Sequence, residues 1–322
     1  MPNALTNLFQ TKVVPGLVTH LQHGLTSAWM ESNAIGVDYK GGKYVTMHDI
    51  ETDGLGNYDR QGGFPRGYVT GSKQTFEMTQ DRGREFLIDA ADNDETGFLY
   101  SAANVMKRFQ EKHVIPEIDT YRYYKIYDRI NTLASGNVLA AAADDGIVDA
   151  LIGDIASIKD KVGEVPLVVV MSGLTQAKFG TDFIRALEYV TFQNGAIYTK
   201  LKSIDGTPIQ IVPSARLKTT FTAKDGTTSG QEAGGFVAGG NDIQWMILPK
   251  NGPVAVSKID KVRVFSPEEY QDAYAWKTDY RVWHDLWLTQ ETANNSLIRV
   301  ATAAASVSES TGGTTGDEGS GS

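Results

Sequence analysis

The chain has 322 residues, 41% of them hydrophobic and 21% charged, with a formal charge of −9. That balance suits a soluble globular protein with a large core and one or two lobes. The absence of cysteine excludes disulfides, thiolate metal sites and thiol nucleophiles and suits a reducing cytosol, while the acidic balance makes tight phosphate-backbone binding a poor fit.

The N-terminus, MPNALTNLFQTKVVPGLV, lacks the basic start and long apolar run of a secretory signal. Phe9, Val13, Val14, Leu17 and Leu21 suit a short amphipathic helix or an arm packed on a neighbour. Residues 43–50 and 67–80 are rich in Tyr, Val, Thr, Phe and Met and read as two strands. Between them, 53–67 (DGLGNYDRQGGFPRG) holds Gly54, Gly56, Gly62, Gly63 and Gly67, with Tyr58 and Phe64 as large apolar groups. A long glycine-rich connection in a compact domain is usually functional or disordered. Two aromatics on such a loop suit docking on a partner.

Residues 92–127 contain the strongest long-helix pattern. Phe98, Ala102, Val105, Met106, Phe109 and His113 recur at steps of three and four, and Lys107, Arg108, Glu111 and Lys112 lie mostly off that stripe. Asp94 and Glu95 sit where the helix dipole favours negative charge, and Asp94 or Thr96 is placed to cap the first turn. Pro116 is expected to end or kink the helix near Val114 and Ile115, with Ile118, Tyr121, Tyr124 and Ile126 continuing an apolar, aromatic run. On periodicity alone this is a core helix of a mixed α and β protein.

Residues 133–161 are alanine-rich and interrupted by glycine, and Ile147, Leu151, Ile155 and Ile158 form a second helical stripe. Residues 165–171, the longest apolar run, read as a buried strand and are too short to cross a bilayer. Residues 174–189 read as one helix with Phe179, Phe183 and Leu187 on a face. Residues 197–204, a DGTP turn at 205–208 and 209–212 read as a hairpin. Residues 221–240 read as an exposed loop and 243–248 as a strand. In 274–288 the even positions Tyr274, Trp276, Tyr280, Val282, Leu286 and Leu288 are apolar, whereas Lys277, Asp279, Arg281 and Asp285 are charged. That is strand alternation, with Trp283 and Trp287 on the polar side placed to meet another element. The tail, 306–322, has no aromatic residue and no Lys or Arg, and is expected to be disordered.

Chemical motifs fail on inspection. GVDYKGGK (36–43) approaches a phosphate loop, but Gly42 stands at the lysine position. Asp92, Asp94 and Gly97 resemble the start of a calcium loop whose twelfth position is Ala103 instead of glutamate. His20 and His23 have a helical metal spacing without a third ligand and read as surface histidines. His284 and Asp285 adjoin on a strand and should point to opposite faces. No catalytic residue, cofactor or metal site is expected.

Three stretches carry a family resemblance. They are DETGF followed by VM-RFQE-HVIPEID-YRY-KI within 92–127; AWMESNAIGVDYKGGKYV (28–45) with TDGLGNYDRQGGFPRGYVT and EMTQDRGREF (52–86); and PVAVSKIDKVRVFSPEEYQDAYAWKTDYRVWHDLW (253–287). Together they span most of the chain and closely resemble, in the same order, the tailed-bacteriophage major capsid (coat) proteins of the Hong Kong 97 fold. The resemblance implies an α+β fold with an N-terminal arm (1–34) across adjacent subunits and an extended β-hairpin, the E-loop (35–90). It further implies a peripheral domain with a spine helix and β-sheet (91–134 and 251–300), an axial domain (135–250) and a disordered tail (301–322). The E-loop would reach over a neighbouring subunit, with Asn57, Tyr58 and Phe64 at its tip as inter-subunit contacts. Some relatives join subunits covalently through lysine and asparagine; Lys40, Lys43 and Lys73 lie near the hairpin, but no motif marks a partner.

The implied function is structural. Pentamers and hexamers would close into an icosahedral shell around double-stranded DNA, bound without sequence specificity. The expected partners are other copies of the chain, a portal and, where required, a separate scaffolding protein, because the long N-terminal segment that serves some relatives as a built-in scaffold is missing. No membrane is expected; the location would be the virion capsid, with assembly in the host cytoplasm. The alternatives are a bacterial nanocompartment shell of the same fold and a soluble hydrolase, the latter disfavoured by the failed motifs.

Overall fold

A computed structural model describes residues 14–34, 38–39, 43–89 and 102–301. Phe9, Val13, Lys40, the proposed caps Asp94 or Thr96, Phe98 and the 306–322 tail lie outside the described residues. Helix α1 (Val14–Gly24) buries Leu17 and Leu21, one turn apart, together with Leu25 just beyond it. A 3-10 turn (Ala28–Asn33) then buries Ala28, Trp29 and Met30. Leu17, Leu21 and Leu25 pack with Met106, Val114 and Ile118, and Trp29 and Met30 with Tyr123 and Ile126. Within 14–34, Leu17, Leu21, Leu25, Ala28, Trp29 and Met30 are thus buried in their own chain.

Strands β1 (Asp38–Tyr39), β2 (Tyr44–Thr52) and β3 (Val69–Glu77) form an antiparallel sheet in that order. Strand β4 (Gln80–Asp89) leaves this hairpin for another sheet. The long helix comprises α2 (Ala102–Phe109), a π-helical turn (Gln110–Val114) and α3 (Ile115–Leu133). Pro116 does not end it; the interruption expected near Val114 and Ile115 takes the form of the π-helical turn immediately before it. Proline lacks the N–H that would reach Lys112 and crowds that carbonyl. The wider π turn just before it accommodates the defect, and Val114 and Ile115 keep helical angles (φ −70°, ψ −51° and φ −58°, ψ −50°). The same turn rotates the buried face. Met106, Gln110, Val114 and Ile118, spaced by four, are buried, while His113, placed on the stripe by simple periodicity, is exposed.

The second half builds the large sheet. In chain order come β5 (Val138–Ala140), α4 (Ile147–Val162), β6 (Leu167–Ser172), α5 (Gly173–Ala177), α6 (Thr181–Ala186), β7 (Glu188–Asn194), β8 (Ile197–Ile204) and β9 (Thr207–Val212). They are followed by β10 (Lys218–Ala223), β11 (Phe236–Pro249), β12 (Val254–Phe265), β13 (Ala275–Trp287), α7 (Gln290–Asn294) and β14 (Leu297–Val300). Eight strands form one mixed sheet, ordered β5-β14-β11-β6-β9-β8-β7 with β10 paired to β11. A separate antiparallel sheet has the order β12-β13-β4. Two strands cross the boundaries expected from the sequence: β4, within 35–90, pairs with β13, and β14, within 251–300, pairs with β11 and β5.

Strand β6 is buried on both faces, which explains its unbroken apolar run. Val168 and Val170 pack with Met246, Leu248 and the α3 residues Tyr123, Ile126 and Ile130. Val169 and Met171 pack with Trp245, Ile247 and the α4 stripe Ile147, Leu151, Ile155 and Ile158. Each such side chain contributes about 1.5–3 kcal/mol by leaving water. Asp154 fastens α4 to the sheet, accepting hydrogen bonds from Trp245 Nε1 (3.0 Å) and from Arg299 Nε (2.6 Å) and Nη2 (2.8 Å). The expected single helix over 174–189 is two short ones, because Gly180 adopts φ +81° and Glu188 begins a strand. The expected loop over 221–240 is also corrected: its ends pair as β10 and β11, and 224–235 is the connection.

One buried carboxylate ties these layers. Asp119 on α3 is fully buried and accepts from five donors: Thr26 N (3.0 Å) and Oγ1 (2.7 Å), Ser27 N (3.2 Å) and Oγ (2.6 Å), and Arg216 Nη1 (2.8 Å). Nearby, buried Arg122 donates to Glu31 Oε1 (2.7 Å) and Ser27 Oγ (3.2 Å). Asn194 on β7 accepts from Trp29 N (2.8 Å) and donates to Leu25 O (2.9 Å). Asp119→Ala leaves the Arg216 charge and several buried donors without their acceptor, so it is expected to cost about 3–5 kcal/mol in chemical denaturation. An unchanged midpoint and slope would contradict this account of the node.

Candidate functional site

The hairpin β2–β3 is regular from Tyr44 opposite Glu77 to Thr52 opposite Val69. Its loop is closed by Asp53, whose N–H donates to Tyr68 O (3.2 Å) and whose Oδ2 accepts from Tyr68 N (2.7 Å). A smaller turn forms at the tip. Asp59 and Gly63 exchange backbone hydrogen bonds of 3.1 and 2.7 Å, and Asp59 Oδ1 accepts from Gln61 N (3.0 Å). Glycine is required twice here: Gly63 has φ +80°, and a Cβ on Gly56 would lie 2.6 Å from the Pro65 ring.

Tyr58 and Phe64 flank that turn with ring centroids 5.0 Å apart. They nevertheless stay 59% and 86% exposed, and Asn57 is exposed beside them. The structure thus brings the three sequence-selected residues together, with the two aromatic rings in tilted contact (58° between planes) and turned to solvent. Leu55, Tyr68 and Val69 are exposed as well, so the apolar strip is longer than the sequence reading proposed. The signal was present in the same run, but Tyr68 and Val69 read as ordinary strand residues.

The root of the hairpin, in contrast, is packed. Val45, Met78, Val254, Val256 and Trp287 form a buried cluster with Phe76 against it, and Phe76 stacks on Trp287 at 5.6 Å. Trp287 therefore meets another element, as its place in the alternation suggested, and Trp283 carries the Lys258 ammonium 4.6 Å over its ring. The alternation in burial holds from Thr278 to His284 and then gives way to a fully buried end, whereas Tyr274 lies before the strand and is exposed. Lys43 pairs with Glu77 at the root, and Lys73 lies opposite His48 in the ladder.

Behind the root, Asp285 accepts from Tyr121 Oη (2.6 Å) and from Thr79 N (2.7 Å) and Oγ1 (3.0 Å). Burial, then the Asp285 charge, hold the Tyr121 hydroxyl far above its usual range, so it remains a donor. The neighbouring His284 ring meets Tyr121 edge-on at 5.5 Å. Tyr121 thus touches both residues, Asp285 through its hydroxyl and His284 through its ring. Among the described residues no group of three or more His, Asp or Glu side chains is placed to hold a metal. His23 is exposed, and the His20 ring lies 2.9 Å from Glu111.

Burial, with Arg122 and Arg82 nearby, pushes His284 down from an ordinary value of 6.5 to about 3. The neutral form is thus favoured by folding. Its contribution is complete above about pH 6.5 and is lost as pH falls toward 3. Between pH 7 and 5 this group is expected to remove about 2 kcal/mol of stability. His284→Gln should flatten that part of the pH dependence in denaturation curves; an unchanged slope would contradict the assignment. By the same physics, Tyr58→Ala with Phe64→Ala should leave the isolated subunit within about 0.5 kcal/mol of the parent, because exposed side chains contribute little. A larger loss would show that the tip packs at home.

No family model and no curated protein matches the sequence. Solved structures do match in fold. A chain of the bacteriophage PhiM1 mature capsid is 13% identical with a TM-score of 0.55, over 82% of this chain and 83% of that chain. One from the cyanophage P-SCSP1u capsid is 9% identical with a TM-score of 0.54, over 83% and 85%. One from a virus-like particle of Pyrococcus furiosus is 7% identical with a TM-score of 0.50, over 88% and 96%. The likeness covers more than four fifths of the chain, and the chain has the α+β fold of Hong Kong 97-type capsid proteins.

Proposed function

We propose that this chain is the major capsid protein of a tailed bacteriophage. It assembles as pentamers and hexamers into an icosahedral shell around double-stranded DNA. The observation that carries the reading is the projecting hairpin: in a fold shared with capsid chains over most of its length, the exposed strip of Leu55, Tyr58, Phe64 and Tyr68 has no partner within its own subunit among the described residues. Such a strip is stabilised when a neighbouring copy covers it, and Asn57, Tyr58 and Phe64 are the contacts assigned to the tip. Cyclic symmetry repeats that contact around every capsomer, so small gains multiply. The role is structural rather than catalytic. The net charge of −9 suits a wall from which packaged DNA slides free. A portal and, where required, a separate scaffolding protein complete the partners, assembly proceeds in the host cytoplasm, and the mature location is the virion. Among the described residues no helix is long and apolar enough to cross a membrane.

A shell of the same fold around a protein cargo is the second reading, and the fold shared with a virus-like particle of Pyrococcus furiosus is compatible with either. Both readings demand assembly. Purified protein, with its scaffold where required, is expected to form capsomers or closed shells by electron microscopy and light scattering. A stable monomer under all assembly conditions would overturn both. Nuclease-protected DNA in particles from infected cells supports the phage reading, and protein cargo without DNA supports the other. Tyr58→Ala with Phe64→Ala is expected to lower particle yield and heat resistance; shells of parental yield and stability would remove the tip from the interface.

A further inference from the structure

A cavity of about 200 Å³ lies between the β4–β13 face, the α2–α3 junction and the 224–235 connection. Its apolar wall is Phe86, Phe109, Val114, Ile118 and Val282, so three separate elements supply it. The π-helical turn brings His113 and Val114 to its edge, and π turns recur at functional sites. The glycine-rich connection forms the lid side, with Gly226 at φ +77° and Gly234 at φ +67° close to the Arg84 guanidinium.

The polar groups of the cavity are unequal. Arg82 is engaged within the chain: Nε donates to Glu117 Oε1 (2.7 Å), Nη1 to Lys224 O (2.7 Å) and Nη2 to Gly235 O (2.8 Å). Its charge is answered by Glu117, so an ionic ligand gains nothing from it. His284 is different. It lines the cavity, is 2% exposed, and its Nδ1 has no hydrogen-bond partner among the described residues. A buried ring nitrogen without a partner is costly, and a ligand hydroxyl or N–H that reaches it recovers that cost. An apolar cavity of about 150 Å³ is known to admit benzene, so this one has room for one aromatic ring with a substituent.

We infer that this cavity is a binding site for a small, uncharged aromatic molecule carrying one hydrogen-bonding group, a phenol or an indole, with the ring against Phe86, Phe109 and Val282 and the polar group on His284. None of the residues lining the site belongs to the hairpin tip.

The test uses the full-length chain and two probes, phenol and toluene, titrated by calorimetry at pH 7. Saturable binding of one equivalent of phenol, at least as tight as toluene, is expected. In His284→Leu phenol should weaken about tenfold while toluene does not. Val282→Phe, or Phe86→Trp on the partly exposed strand β4 should the first variant fail to fold, is expected to abolish binding of both. Toluene binding with phenol excluded would overturn the role of His284. No heat from either probe, meaning a cavity that holds water only, would overturn the site, as would phenol binding that survives the filling variants.

Discussion

A single carboxylate, Asp119, decides how the parts of this molecule meet. It sits on the long helix with no exposure to water, and its two oxygens serve donors from residues 26, 27 and 216. A buried ion pair need not add net stability over an apolar replacement of the same shape. Its effect is to make alternatives costly, because any other arrangement leaves a charge buried without its partner. The N-terminal segment, the helix and the turn before β10 are thereby held in one relation. Arg122 and Asn194 extend the same constraint to Glu31 and the backbone on either side of Trp29.

The body that results is self-sufficient. The large sheet is covered by α3 on one face and α4 on the other, and the smaller sheet is covered by α1 and the π-turn region. The hairpin obeys different physics. Its root is locked by Phe76 on Trp287, but beyond that only ladder hydrogen bonds and a small turn organise it, and two-stranded ribbons are marginal in water. A molecule built this way has a rigid core and one projecting element whose order is completed by whatever covers it.

Much of this was legible in the residues. Period-2 alternation marked β13, the unbroken run marked the doubly covered β6, and the Ile147–Ile158 stripe marked α4, because each pattern reports burial directly. The turn at Asp205 and Gly206 was legible too, since both residues take positive φ there (47° and 73°). Pro116 marked the place of the helix's irregularity but not its form, because local chemistry says where a proline interrupts a helix, not whether a π turn absorbs it. Residues 174–189 were misread because Phe179, Phe183 and Leu187 keep helical spacing even though Gly180 divides them; all three do pack in one cluster. The Asp119 node was invisible, as its partners lie up to 97 residues away and no motif joins them. At the hairpin, composition flagged Tyr58 and Phe64, but only geometry revealed that the exposed strip continues through Tyr68 and Val69.

A closed core and a hairpin proposed to be completed by a neighbour should differ in their protection. Amide hydrogen exchange on the isolated subunit and on assembled particles measures that contrast directly. Amides of 44–77 should exchange quickly in the subunit and slowly in the particle, while those of 115–133 and 167–172 stay protected in both. Equal, strong protection of the hairpin in the isolated subunit would contradict the account.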